Sequence, residues 1–182
     1  MNAFRTLCYF ALLLPLPGCV PAFGQGAPSS APEPVRVARV VDADTYEVIS
    51  DARRVRVRLV GVDAPEAGQP FGAQATDSVR ALLPVGRLVT LVHTGTDLYG
   101  RVLGRVLVDG RRLDSLLVVR GWAWSYAGRA YGAGPWPGQQ LAALSARRGL
   151  WRCTDRWPAV PPHVWRKLSA RNKLRYRGGC TW

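Results

Sequence analysis

The sequence predicts a mainly β domain with helices, a five-stranded barrel plus about three helices, and three observations lead there. Five short runs of strand character, rich in Val and alternating in polarity, lie between Val35 and Val108. A helical segment separates the third run from the fourth, and two more helical segments follow the fifth. At 182 residues, 48% of them hydrophobic and 20% charged, the chain suits one domain with a real core.

Val35 to Ile49 reads as a strand, a tight interruption at Asp42-Ala43-Asp44, and a second strand through Thr45-Tyr46-Glu47-Val48. A third strand runs from Arg53 to Val62, completing an antiparallel meander. Within it Val55, Val57 and Leu59 share one face and Arg54, Arg56 and Arg58 the other, so one face is apolar and the other basic. Phe71 to Leu83 is helical, with Ala75, Val79 and Leu82 or Leu83 at core spacing and Pro84 as its stop. Strands from Arg87 to His93 and from Val102 to Val108 flank the polar loop Thr94 to Gly100. Asp114 is expected to cap a helix of Ser115 to Arg120 that ends at Gly121, and a last helix is expected from about Gly138 to Arg148, stopped by Gly149. Five short strands with a helix between the third and fourth match a small closed barrel of the OB type.

A formal net charge of +13 exceeds what solubility needs and points to a polyanionic partner. His93 and His163 stand apart with no carboxylate or cysteine near them in sequence, which disfavours paired-histidine mechanisms and a zinc centre. Arg5 followed by the apolar run Leu7 to Leu16 reads as an export signal over residues 1–24, too short for a stable membrane span. Leu16-Pro17-Gly18-Cys19 also resembles a lipobox, so a lipid anchor at Cys19 is the alternative to soluble export. Residues 25–34, rich in Gly, Ala, Ser and Pro, are expected to be a disordered leader. The folded domain is then 35–151, expected as a monomer, with a basic, Trp-rich extension over 152–182. Export leaves Cys153 and Cys180 as a natural pair in an oxidising compartment. Their disulfide would close a loop of about 28 residues and stabilise by roughly 3 to 4 kcal/mol on the chain-entropy model.

The stretch Val57 to Glu66 holds the densest chemistry. An apolar strand delivers Arg58 and then breaks at Pro65, with Asp63 and Glu66, three apart, on either side. A cation and two anions converge there; the plain alternative is a solvated strand face followed by a capped helix.

With three further pieces the chain resembles the thermonuclease family, the staphylococcal-nuclease-like fold. The pieces are Val41-Asp42-Ala43-Asp44-Thr45, Arg58 to Glu66, Asp97-Leu98-Tyr99-Gly100-Arg101, and Val119-Arg120-Gly121-Trp122-Ala123, in the family's order over about residues 36 to 151. The resemblance implies a phosphodiester hydrolase acting on DNA, with RNA also open, at low sequence specificity and leaving 3′-phosphate ends. It implies that Asp44, Asp63 and the main-chain carbonyl of Ala64 bind one calcium ion. Glu66 would orient or deprotonate the attacking water, and Arg58 and Arg101 would grip the scissile phosphate. Tyr99 would bond a phosphate or stack on a base, or else pack within its loop. Asp42 reads as a turn residue rather than a ligand, and Asp97 as a brace for the loop.

The chain departs from the family's pattern at Ala43, where glycine is usual, so a positive φ there would strain the turn holding Asp44. Leu98 stands at an often basic position. Trp122, Trp124, Tyr126 and Tyr131 are candidates for core packing or for base stacking. From Arg147 onward ten basic residues face Asp155 alone, among Trp151, Trp157, Trp165 and Trp182. That tail is either an accessory grip on nucleic acid or a disulfide-stapled cap on the barrel. A degenerate barrel that only binds nucleic acid or an acidic envelope polymer is the rival to an enzyme, but it would be expected to have lost Arg58, Glu66 or Arg101.

Overall fold

A computed structural model describes residues 31–128, the backbone of 130–131, and residues 134–155, 158–176 and 180. The export signal, Trp157, Trp182 and the Tyr131 side chain lie outside them.

Strand β1 (Glu33–Asp42) begins two residues ahead of the expected domain start and pairs antiparallel with β2 (Thr45–Ser50), which pairs with β3 (Arg53–Leu59). The expected alternation holds: Val57 and Leu59 are buried while Arg54 and Arg56 are exposed. The third strand ends earlier than expected, at Leu59. After Val60-Gly61 the chain resumes as a separate short strand, β4 (Val62–Asp63). Helix α1 (Gly72–Leu82) buries Ala75, Thr76 and Val79 against the barrel. Strands β5 (Leu88–Thr96) and β6 (Val102–Val108) follow, with β7 (Arg111–Arg112) turning back on β6.

The strand order β3-β2-β1-β5-β6 closes through parallel pairing of β3 with β6, Val57 opposite Val102 and Leu59 opposite Gly104. The closure needs a residue without a side chain at position 104. A Cβ there would lie 2.7 Å from Leu91 Cδ1 and 3.2 Å from the Val92 carbonyl oxygen. The barrel is filled by Val35, Val37, Tyr46, Val48, Val57, Leu59, Leu91 and Val106, each at most 2% exposed.

Helix α2 (Leu113–Val119) starts two residues before the predicted one, and Asp114 does not cap it. Asp114 lies inside the first turn, fully buried, and accepts hydrogen bonds from Arg112 Nε at 2.8 Å and Trp136 Nε1 at 3.0 Å. Burial changes its task from capping to tying the loop before α3 (Pro137–Ser145) onto α2. Helix α3 ends three residues early, and Arg147 rather than Gly149 makes the first left-handed step, with φ 51°.

Between these helices β8 (Trp124–Ala127) pairs with β4 and with β9 (Ala130–Tyr131), a small second sheet the sequence did not announce. Trp124, 4% exposed, meets Trp151 edge to face with ring centroids 5.7 Å apart, so it belongs to the core and not to a base-stacking surface. Among the described residues there are five α-helices where about three helices were expected. The extra two, α4 (Pro162–Lys167) and α5 (Ala170–Leu174), lie in the extension, where Cys153 and Cys180 are joined by a disulfide with Cα atoms 5.9 Å apart. None of the described helices is long and apolar enough to cross a membrane.

Candidate active site

The turn from β1 to β2 sets the first carboxylates. The Asp44 amide donates to Asp42 Oδ1 at 3.1 Å, a side-chain turn that tips Asp44 inward. Ala43 is fully buried and is not among the residues with positive φ, so the strain feared for a non-glycine residue does not arise. Its carbonyl instead accepts the Tyr46 hydroxyl at 2.5 Å. Asp44, 5% exposed, accepts the Ala64 amide on Oδ2 at 2.6 Å and the Thr45 hydroxyl on Oδ1 at 3.1 Å.

Asp63 is placed by the second sheet, its backbone paired with Trp124, and is 3% exposed. Between the two carboxylates stands Arg58, whose strand pairs with Thr45. One Nη of its guanidinium meets Asp44 Oδ1 and the other lies 2.6 Å from Asp63 Oδ1. Burial raises the Asp42 carboxyl above the ordinary carboxylate range, against the lowering effect of the Thr45 hydrogen bond and of the charges on Arg58 and Arg101.

Glu66 follows Pro65 and leads into a tight loop closed by α1. Its amide donates to Gln69 Oε1 at 3.2 Å, and its carbonyl accepts the Gln69 amide at 2.8 Å. Gly72 abuts the Glu66 carbonyl so closely that a Cβ would collide with it. The carboxylate itself points to the opening and is ion-paired to Arg166 of α4.

Arg101 enters from the loop between β5 and β6. Asp97 braces that loop, accepting the Tyr99 amide at 2.9 Å, the Arg101 amide at 3.0 Å and Arg101 Nε at 2.7 Å. Burial pushes the Asp97 carboxyl up, but these hydrogen bonds outweigh it and hold the group below its ordinary value. Tyr99 is 84% exposed with Arg101 over its ring at 5.6 Å, so it does not pack into its loop; Leu98 is fully exposed.

All of these line one cleft of about 370 Å³ at the barrel mouth: Asp42, Asp44, Thr45, Arg58, Asp63, Ala64, Pro65, Glu66, Tyr99, Arg101 and Arg166. Every residue expected at the site is there. Arg166 and Gln69 were missed. Gln69 carries only the weak signal of lying three residues after Glu66, and Arg166, 100 positions away, carries none.

The sequence that builds this site has known relatives. A family model described as staphylococcal nuclease homologue matches residues 56–153. The chain belongs to the staphylococcal nuclease family. An "Uncharacterized endonuclease" of Escherichia coli is 41% identical over 133 residues, 72% of this chain and 83% of that protein. A "Micrococcal nuclease" of Shigella flexneri is 34% identical over 146 residues, 73% of this chain and 80% of its own length. In this staphylococcal nuclease homologue, as in any hydrolase of phosphodiesters, the site must offset charge on the phosphate, and three arginines, Arg58, Arg101 and Arg166, line this cleft.

The donor chemistry also fits a metal. Asp44 and Asp63 are hard oxygen donors, nearly buried, and both face the same Arg58 guanidinium, so the two carboxylates lie around one small volume. Among the described residues no group of three or more Asp, Glu, His or Cys is arranged as a metal cage. Two carboxylates therefore leave most of a coordination shell to the main chain, water and substrate.

Proposed function

We propose that this protein is an exported, calcium-dependent endonuclease that hydrolyses DNA, with RNA open as a second substrate, at low sequence specificity and leaves 3′-phosphate ends. The observation that carries the reading is the convergence of Arg58, Arg101, Asp44, Asp63 and Glu66 on one cleft. That the chain is a nuclease follows from its family. Calcium, export and the product ends go further and rest on the resemblance, on the all-oxygen donor set, and on the apolar run and cysteine pair of the sequence.

Asp44, Asp63 and the Ala64 carbonyl would hold the cation, which when bound supplies Lewis-acid polarisation of a phosphate oxygen. Arg58 and Arg101 bind and orient the scissile phosphate, their planar N–H groups matching its oxygens and offsetting the charge that grows on them. Glu66 holds or takes a proton of the attacking water at a carboxylate oxygen. Tyr99, exposed beside Arg101, offers a hydroxyl or a ring face to the adjoining nucleotide. With only two acidic side chains for the metal, affinity is modest and suits a calcium-rich exterior.

Incubation with single- and double-stranded DNA and with RNA, in calcium and then in chelator, tests this. Cleavage in calcium that stops in chelator and leaves 3′-phosphate ends is expected. Full activity in chelator would overturn the metal assignment, and binding without cleavage would leave a nucleic-acid-binding barrel.

A further inference from the structure

Among the described residues, one side chain of the extension beyond the family match lines the cleft. Arg166 lines it together with Arg58, Glu66, Tyr99 and Arg101, and its guanidinium is ion-paired to Glu66 Oε1. Both side chains are accessible, Arg166 at 54% and Glu66 at 41%. The backbone that carries Arg166 is nonetheless fixed. Its neighbour Trp165 is 4% exposed, with the Tyr176 ring edge-on at 6.1 Å and Lys173 Nζ over its face at 5.3 Å. Gln69, itself buried, bonds both the Glu66 amide and the Val160 carbonyl, which ties the extension to the very loop that presents Glu66.

A long, accessible arginine on a firm base is suited to grip a phosphate. Resting on Glu66, it occupies the carboxylate that the water needs. An exposed ion pair is weakly held, whereas a nucleic acid strand brings an anion every nucleotide. The scissile phosphate is taken by Arg58 and Arg101, so the anion left for Arg166 is the next one along.

Resting on the nuclease reading, we propose that Arg166 is a substrate-binding residue that takes the phosphate adjacent to the scissile one and, by moving to it, leaves Glu66 to the attacking water. The extension thereby makes the enzyme selective for polynucleotides over substrates with a single phosphodiester.

The test compares full-length parent, Arg166→Gln and Arg166→Lys in calcium on two substrates, a short single-stranded oligonucleotide and a nucleoside ester with one phosphodiester. On the oligonucleotide R166Q is expected to lose about tenfold in kcat/KM, through KM, as for one charge-assisted contact. The slope of its logarithm against log salt should become shallower by about 0.7, the share of one phosphate. R166K recovers part of both. On the single phosphodiester R166Q is faster than the parent, because Glu66 is no longer held. Equal loss on both substrates with an unchanged salt slope would reduce Arg166 to a structural role. Faster cleavage of both would make it an inhibitory strap, and either result overturns the proposal. A parent that cleaves neither substrate overturns the nuclease reading itself, a failure visible without any variant.

Discussion

Arg58 reaches Asp63 at 2.6 Å while its other Nη faces Asp44, so one guanidinium bridges both carboxylates proposed for the metal and offsets one of their two charges. Removing it leaves two nearly buried acids facing each other. Arg58→Gln should therefore lose about 3 kcal/mol of stability without metal, as for other broken buried pairs. Calcium should restore part of that loss by taking the same place. Thermal melts with calcium and with chelator check this: calcium should raise the melting temperature of R58Q more than that of the parent. A variant indifferent to calcium would separate Arg58 from the metal site.

Arg101 is held by Asp97, not by the barrel. Arg101→Gln should lower kcat at least about a hundredfold with the fold intact, the cost of one donor to the transition state. Asp97→Asn should lower it less, by loosening the loop that also carries Tyr99. If D97N were as damaging as R101Q, Asp97 would have a part in the chemistry beyond bracing. Steady-state kinetics of the two variants distinguish these.

Glu47 is the acid that explains the basic face of β3. Hydrogen bonds from Arg39, Arg56 and Arg54 hold its carboxyl at about 2, against an ordinary 4.5. A folded value below the unfolded one means that this contribution is fully present above pH 4.5 and is lost as pH falls toward 2. The melting temperatures of Glu47→Gln and the parent should thus differ by a constant amount from neutral pH to about 5 and converge by about pH 2. A difference already fading near pH 6 would contradict the arrangement.

Gly104 closes the barrel. Gly104→Ala pushes a methyl against Leu91 and the Val92 carbonyl and should cost about 1 to 3 kcal/mol, as overpacking does. Urea unfolding measures it, and a neutral result would mean that the β3–β6 seam is looser than its register suggests.

What was legible in the sequence is what local chemistry determines. The alternation from Arg54 to Leu59 set the faces of β3 because strand periodicity is local, and the turn at Asp42 was visible from side-chain hydrogen bonding. That Arg58 and Arg101 share a cleft is not local. It depends on β6 pairing in parallel with β3, and only the ordered family pieces pointed to it. Asp114 was misread because a buried acid two residues from an arginine looks in sequence like a helix cap. The pairing of β4 with β8, which seats Asp63, and the docking of α4, which brings in Arg166, join segments far apart by burying Trp124 and Trp165. No periodicity within either segment encodes its partner.

The most direct test of the site is single-turnover cleavage of DNA by Glu66→Gln with calcium saturating. The account predicts a chemical step slower by at least about a hundredfold while DNA affinity and the calcium-induced rise in melting temperature stay near the parent's values. A variant that cleaves at the parental rate would show that the bond is broken without Glu66 and contradict the assignment of this cleft.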